Sequence, residues 1–155
     1  MIILVLHGPN LGLLGKREPE IYGQTTLNQL NNMLFKEADK RRIVLKIFQS
    51  NHEGRLIDLI EEIMDTSDAL IINPGALAHT SIALMDAIKA SGKPTVEVHL
   101  TDITKREEFR QKSYIGMVAE KTFQGEGIQS YLDALDYLIK KQRKGTATGL
   151  TRDSE

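Results

Sequence analysis

The chain of 155 residues contains no cysteine. That absence removes disulfides, thiolate zinc sites, cysteine nucleophiles and cysteine-ligated iron–sulfur clusters together, leaving His, Tyr, Ser, Lys and carboxylates for chemistry. An excess of either charge is missing as well. Lys and Arg number 20 against 21 Asp and Glu, so no global field draws nucleic acid or an anionic membrane, and neither is expected as a partner. Affinity for an anion has to come from a few placed residues. Long apolar runs are also absent: residues 2–6 and 69–72 are the longest, far short of the roughly 20 residues of a membrane helix. No charged-then-apolar segment opens the chain, and a soluble, cytoplasmic protein is the expectation. What is present, 41% hydrophobic and 26% charged residues, is the composition of one globular domain with a sizeable core.

Residues 2–6 are continuously apolar rather than alternating, which predicts a strand covered on both faces, as in the middle of a parallel sheet. Residues 69–72 repeat that signature, and 95–98 form a third candidate. Residues 43–49 alternate more and carry Lys46, so they belong nearer an edge. Between these runs lie helical stripes. Leu27, Leu30, Leu34 and Ala38 fall on one face, introduced by Thr26 with Gln29 at capping-box spacing. Leu56, Leu59, Ile60 and Ile63 form a second stripe. Ile82, Met85, Ala87 and Ile88 form a third, stopped at Gly92-Lys93-Pro94, and residues 131–139 a last. Strands alternating with helices predict a three-layer α/β sandwich with right-handed crossovers. A fifth strand should fall around residues 121–124, although that stretch is mostly polar. The expected organisation is a single catalytic domain over residues 1–142, with 143–155 a mobile tail that has little to bury.

In an open parallel sheet, ligands bind beyond the carboxyl ends of the strands. His7-Gly8-Pro9-Asn10 follows the first run, Asn73-Pro74-Gly75 with His79 follows the third, and His99 closes the fourth. Three of the four histidines, His7, His79 and His99, are therefore expected on one rim. Glu97 and His99 are two apart on a strand and point to one face. A carboxylate there needs a partner, and a neighbouring histidine supplies one. The pair reads either as a carboxylate-tuned general acid or as a buried hydrogen-bonded pair.

Residues 8–25 carry three further glycines and no period, as lids and binding loops do. They hold Lys16, Arg17, Glu18 and Tyr22. A phenol near pKa 10 is a poor base, but a close guanidinium favours phenolate; bringing it to about 7 or 8 takes roughly 3–4 kcal/mol. Taken alone, Arg17 and Tyr22 are equally readable as solvated loop residues. Neither GxGxxG nor GxxxxGK[ST] occurs in this loop, and HExxH is absent. A three-histidine metal site is conceivable only from the rim count.

The motifs His7-Gly8-Pro9-Asn10-Leu11, Leu14-Gly15, Arg17-Glu18, Tyr22-Gly23, Gln49-Ser50-Asn51-His52-Glu53-Gly54, Asn73-Pro74-Gly75-Ala76, His79-Thr80-Ser81, Glu97-Val98-His99, Arg106-Glu107-Glu108-Phe109-Arg110, Ser113-Tyr114 and Gly125-Glu126-Gly127 together resemble the type II 3-dehydroquinate dehydratases. The resemblance runs over residues 2 to about 140. It implies a flavodoxin-like fold with a five-stranded parallel sheet. It also implies a trans dehydration of 3-dehydroquinate to 3-dehydroshikimate that uses neither cofactor nor metal. Tyr22 matches the family's base and Arg17 the residue that activates it. Asn10 matches the residue that helps hold the water stabilising the enolate. His99 matches the general acid, with Glu97 as its partner. Asn73, His79 and Arg110 match substrate-binding positions, and Leu100 and Thr101 match backbone contacts to the substrate carboxylate. Asp86 matches a residue that reaches a neighbouring subunit's site, in a family that builds homododecamers from trimers.

Gly12 stands where many members carry Asn, and Asp102 where Asn is frequent. Two readings from other classes stand beside the dehydratase. One is a flavodoxin-like module binding a flavin or nucleotide, suggested by the fold and the glycine-rich first loop; the other is a catalytically idle scaffold.

Overall fold

A computed structural model describes residues 1–16 and 18–149; of Tyr22, Thr148 and Gly149 it describes the main chain only. The elements in chain order are β1 (Ile2–His7), α1 (Pro19–Tyr22), α2 (Leu27–Lys40), β2 (Val44–Gln49), α3 (Glu53–Ile63), β3 (Ala69–Asn73), α4 (Ile82–Ser91), β4 (Thr95–His99), β5 (Lys121–Gln124) and α5 (Gln129–Gly149). The five strands form one sheet in the order β2-β1-β3-β4-β5, every pair parallel. This is the flavodoxin-like order, and the expected three-layer α/β sandwich is observed.

Strand periodicity sorts the core into two halves. Ile3, Val5, Ala69, Ile71, Val96 and Val98 point to one face and pack against α2 and α5. Leu4, Leu6, Leu70 and Ile72 point to the other and meet Leu56, Leu59 and Ile60 of α3 and Leu84 and Ile88 of α4. Truncating any of these buried leucines to alanine costs about 2–5 kcal/mol. Thr26 and Gln29 form the reciprocal capping box at the start of α2. α4 differs from its expected stripe: Leu84 and Ile88 are buried, whereas Ile82 is 51% exposed. Ser81 has taken the N-cap position there, its hydroxyl accepting from Leu84 N–H, and Ile82 is turned to the surface.

The polar stretch 121–124 does form the edge strand. At the opposite edge, β2 carries Lys46, whose Nζ donates to Thr66 Oγ1 at 3.1 Å. The loop of residues 8–25 is less irregular than its lack of period suggests, containing a 3-10 turn at Leu11–Leu13 and the single turn of α1. α5 runs on to Gly149, so residues 143–149 are helical where a tail was expected, with the side chains of 143–147 exposed; residues 150–155 lie outside the described residues. Among the described residues no helix is long and apolar enough to cross a membrane.

His7 occupies the face of β1 that α2 and α5 cover. It is fully buried, with Nδ1 2.9 Å from Tyr131 Oη and Nε2 2.9 Å from Asn31 Oδ1. Burial pushes the ring down to about 4, against a smaller opposing pull from the Asn31 bond. Between that value and the unfolded value of about 6.5 the unfolded chain binds the extra proton, so stability falls as pH drops through this window. The full difference is about 3 kcal/mol. His7→Asn, which does not titrate, is expected to lose this part of the slope. Urea unfolding of parent and variant at pH 7 and pH 4.5 checks it; equal losses of stability in both would refute the assignment.

Candidate active site

Beyond the carboxyl ends of β1, β3 and β4 lies a cavity of about 180 Å³. That is below the roughly 300–1,000 Å³ of pockets for drug-sized ligands and suits a small metabolite. Asn10, Asn73, His79, His99, Leu100, Thr101 and Arg110, all candidates from the sequence, line it, and Arg106 joins them.

The loops after β1 and β3 touch because one residue has no side chain. A Cβ on Gly8 would lie 2.4 Å from the Pro74 carbonyl oxygen, and Gly8 N–H donates to Asn73 O at 2.8 Å. Asn10 follows with φ 68°, a left-handed conformation that Asn tolerates better than most residues. Its N–H donates to Asn51 Oδ1 at 3.0 Å. The same oxygen accepts from Gln49 Nε2, also at 3.0 Å. The Gln49-Ser50-Asn51 motif at the end of β2 thus holds the loop that presents Asn10. Asn73 is buried, and its Oδ1 accepts from Gly75 N–H at 3.2 Å.

On β4, Glu97 and His99 share a face as their spacing requires. His99 Nε2 donates to Glu97 Oε1 at 2.8 Å. A carboxylate only accepts, so Nε2 carries the hydrogen and Nδ1 is the nitrogen left for a ligand. Ser113 Oγ also donates to Glu97 Oε1, and Thr122 Oγ1 donates to Oε2 at 2.9 Å. Burial by itself would raise the Glu97 carboxyl. The bonds from His99, Ser113 and Thr122, with the attraction of the His99 ring, outweigh it and hold the group below the usual range. A Cβ on Gly116 would come within 2.9 Å of Glu97 Oε2, so the turn can close over the carboxylate only with glycine there.

His79 Nδ1 donates to the Lys112 carbonyl at 2.7 Å, leaving Nε2 for the pocket. Arg106 and Arg110 both approach Glu107 Oε2, Nε at 3.7 Å and 3.2 Å, and Arg106 Nη1 donates to Thr101 Oγ1 at 3.4 Å. The Arg110 contact is an ionic approach without hydrogen-bond alignment, since its Nε has no such partner among the described residues. Two guanidinium groups in so small a cavity favour an anionic ligand.

Two expectations need correcting. His7 is not on the pocket rim: it is the odd-numbered end of β1 and turns into the α2/α5 face. The three histidines therefore do not converge, and among the described residues no three His, Cys, Asp or Glu side chains gather to hold a metal ion. The glycine-rich first loop leads into a 3-10 turn rather than the long helix of a phosphate-binding loop. Asp86 does not line the cavity; it is exposed on α4. Arg17 lies outside the described residues, as does the Tyr22 side chain. The helix that ends in Tyr22 flanks the pocket, with Ile21 and Gly23 bordering a shallow cleft shared with Leu100, Thr101 and Arg106. Asp102 caps the turn that follows, its Oδ1 accepting from Thr104 N–H at 2.9 Å and Oγ1 at 2.6 Å.

Four residues were not among the sequence candidates: Arg106, Ser113, Gly116 and Thr122. The pairing register offers a signal for one of them, since Thr122 stands directly opposite Glu97.

A five-stranded parallel sheet of this order, with an acid pair and two guanidinium groups at its carboxyl ends, is the arrangement of a flavodoxin-like enzyme acting on a small anion. The family model for dehydroquinase class II matches residues 1–139, and the chain belongs to that family. It is 55% identical over 137 residues to the 3-dehydroquinate dehydratase of Dictyoglomus turgidum, covering 88% of this chain and 94% of that one. The 3-dehydroquinate dehydratase of Nostoc is 53% identical over 137 residues, covering 88% and 93%. Among solved structures, the type II dehydroquinase of Butyrivibrio crossotus superposes with a TM-score of 0.88 at 40% identity, covering 90% of this chain and 97% of that one.

Gly116→Ala is expected to displace the Glu97 carboxylate and lower kcat by about 10- to 100-fold without unfolding the protein. Steady-state kinetics together with a melting curve check this; an unchanged kcat in a folded variant would show that the turn has room to give.

Proposed function

We propose that this protein is a 3-dehydroquinate dehydratase, a hydro-lyase of the shikimate pathway that removes water in trans through an enolate. The observation that carries the reading is the His99–Glu97 pair, set in a cavity with Arg106 and Arg110, in a chain of the class II dehydroquinase family.

A proton beside a ketone is weakly acidic, and its removal needs a positioned base and stabilisation of the enolate oxygen. Tyr22, as phenolate activated by Arg17, takes that proton, and a water held by Asn10 stabilises the enolate. The enolate electrons then re-form the ketone and expel the β-hydroxyl. His99 protonates the departing oxygen from Nδ1, so the products are a conjugated enone and water. Transfer of a proton from the Tyr22 phenol to the His99 ring through solvent restores both groups. Glu97 keeps Nε2 occupied and leaves Nδ1 as the nitrogen turned to the departing oxygen. Asn73, His79 and Arg110, with the main chain of Leu100 and Thr101, bind the substrate. No step calls for a cofactor or a metal. Exposed Asp86 is available to a neighbouring subunit, in keeping with a homododecamer of trimers in the cytoplasm.

The test is the ultraviolet absorbance rise of the enone on adding 3-dehydroquinate; no rise with folded protein would overturn the assignment. Tyr22→Phe and His99→Ala are each expected to lower kcat by about 10²–10⁴ while substrate still binds. A folded Tyr22→Phe enzyme with normal turnover would remove Tyr22 from the mechanism. Light scattering is expected to give the mass of twelve subunits, and a fully active monomer would end the assembly reading.

A further inference from the structure

His7, the buried histidine for which the reaction has no use, lies directly beside a residue for which it does. β1 and β3 pair so that His7 stands opposite Asn73, both on the face covered by α2 and α5. On that face the neighbouring strand positions are apolar, yet these two ends are polar and buried, and Tyr131 of α5, fully buried, reaches between them. Its hydroxyl is 2.9 Å from His7 Nδ1 and near enough to the Asn73 amide to feel it. We propose that His7 and Tyr131 are positioning residues for Asn73, fixing the orientation of its amide toward the substrate. The inference rests on the reading of Asn73 as a substrate-binding group.

Donor and acceptor counting gives the chain one direction. Asn31 Oδ1 only accepts, so His7 Nε2, 2.9 Å away, carries the ring hydrogen. Burial holds the ring neutral at ordinary pH, with its pKa down at about 4, so Nδ1 accepts the Tyr131 hydroxyl proton. The phenolic oxygen, its own hydrogen committed, is left only as an acceptor, and the amide nitrogen is the part of Asn73 that can serve it. Asn73 Oδ1 is already occupied by Gly75 N–H at 3.2 Å. Turning the amide over would face N–H toward N–H at Gly75 and leave the Tyr131 oxygen opposite a carbonyl, two unfavourable contacts in place of two favourable ones. Asn73 is thereby left with one N–H of fixed direction at the cavity wall. Neither His7 nor Tyr131 lines the cavity, so both act through Asn73.

A purely structural role, tying α2 and α5 to the sheet, would lower the melting temperature and leave KM alone. Positioning predicts a split. Tyr131→Phe is expected to raise KM for 3-dehydroquinate about tenfold, the size of one lost hydrogen bond, with kcat changed much less. His7→Leu should do the same. His7→Asn, whose Oδ1 can take the place of Nδ1 as acceptor, should restore KM to near the parent value. In an Asn73→Ala background, Tyr131→Phe should have no further effect on KM. A folded Tyr131→Phe with a lower melting temperature and unchanged KM overturns the inference. If Asn73→Ala itself leaves KM unchanged, the substrate-binding reading of Asn73 fails, and this inference fails with it. A raised KM in Asn73→Ala beside an unchanged one in Tyr131→Phe overturns the positioning alone. Long-range 15N–1H NMR of the unmodified protein tests the chain without any variant: hydrogen on His7 Nε2 is expected, and hydrogen on Nδ1 at neutral pH would overturn it.

Discussion

A carboxylate inside a sheet covered on both faces must be satisfied without water, and the way Glu97 is satisfied organises the reactive side of the molecule. One partner is local: His99 lies two residues further along the same strand and therefore on the same face. The second comes across the ladder from Thr122, its register partner on β5. The third, Ser113, is delivered by the segment between the last two strands, and that segment can close because residue 116 is glycine. Desolvation alone would neutralise the group and uncouple it from His99. With these donors in place it stays ionised, and an ionised Glu97 fixes the His99 tautomer. A strand, its neighbour and a connecting turn are thus tied to one oxygen pair.

Strand parity divides the labour at the same rim. Even positions of β1 and odd positions of β4 face α3 and α4; odd positions of β1 and β3 face α2 and α5. The Glu97–His99 pair belongs to the first set, and His7 and Asn73 to the second. The cavity sits where both sets run out at the strand ends, and residues from the two halves of the core meet in it.

Much of this architecture is legible in the sequence because burial on both faces demands it. The uninterrupted apolar runs of β1 and β3 have no other comfortable home, and Thr26 with Gln29 announces the start of α2. Glu97 and His99 are readable as a pair since a period of two leaves them no choice of side. The failures have equally specific causes. Grouping His7 with His79 and His99 used distance along the strands and ignored which face each side chain takes. The polarity of residues 121–124 looked like a weak strand because its reasons are tertiary: Thr122 serves Glu97, and Gln124 Oε1 accepts from Ile103 N–H at 3.3 Å. Ser113, Gly116 and Arg106 sit in loops whose contacts no periodicity encodes. Ile82 fits a helical stripe yet faces outward, since the Ser81 cap sets the phase of α4.

The close approach of Gly8 to the Pro74 carbonyl has a thermodynamic meaning beyond its geometry. Two loops that touch with no side chain between them give up their backbone freedom when the sheet forms, since separating them would also break the hydrogen bond from Gly8 to Asn73. The conformational entropy of that wall of the cavity is therefore lost once, during folding, and not again at each encounter with a ligand. A small molecule placed against that wall would meet a surface already in its final shape, with no cost of ordering these two loops to set against its affinity.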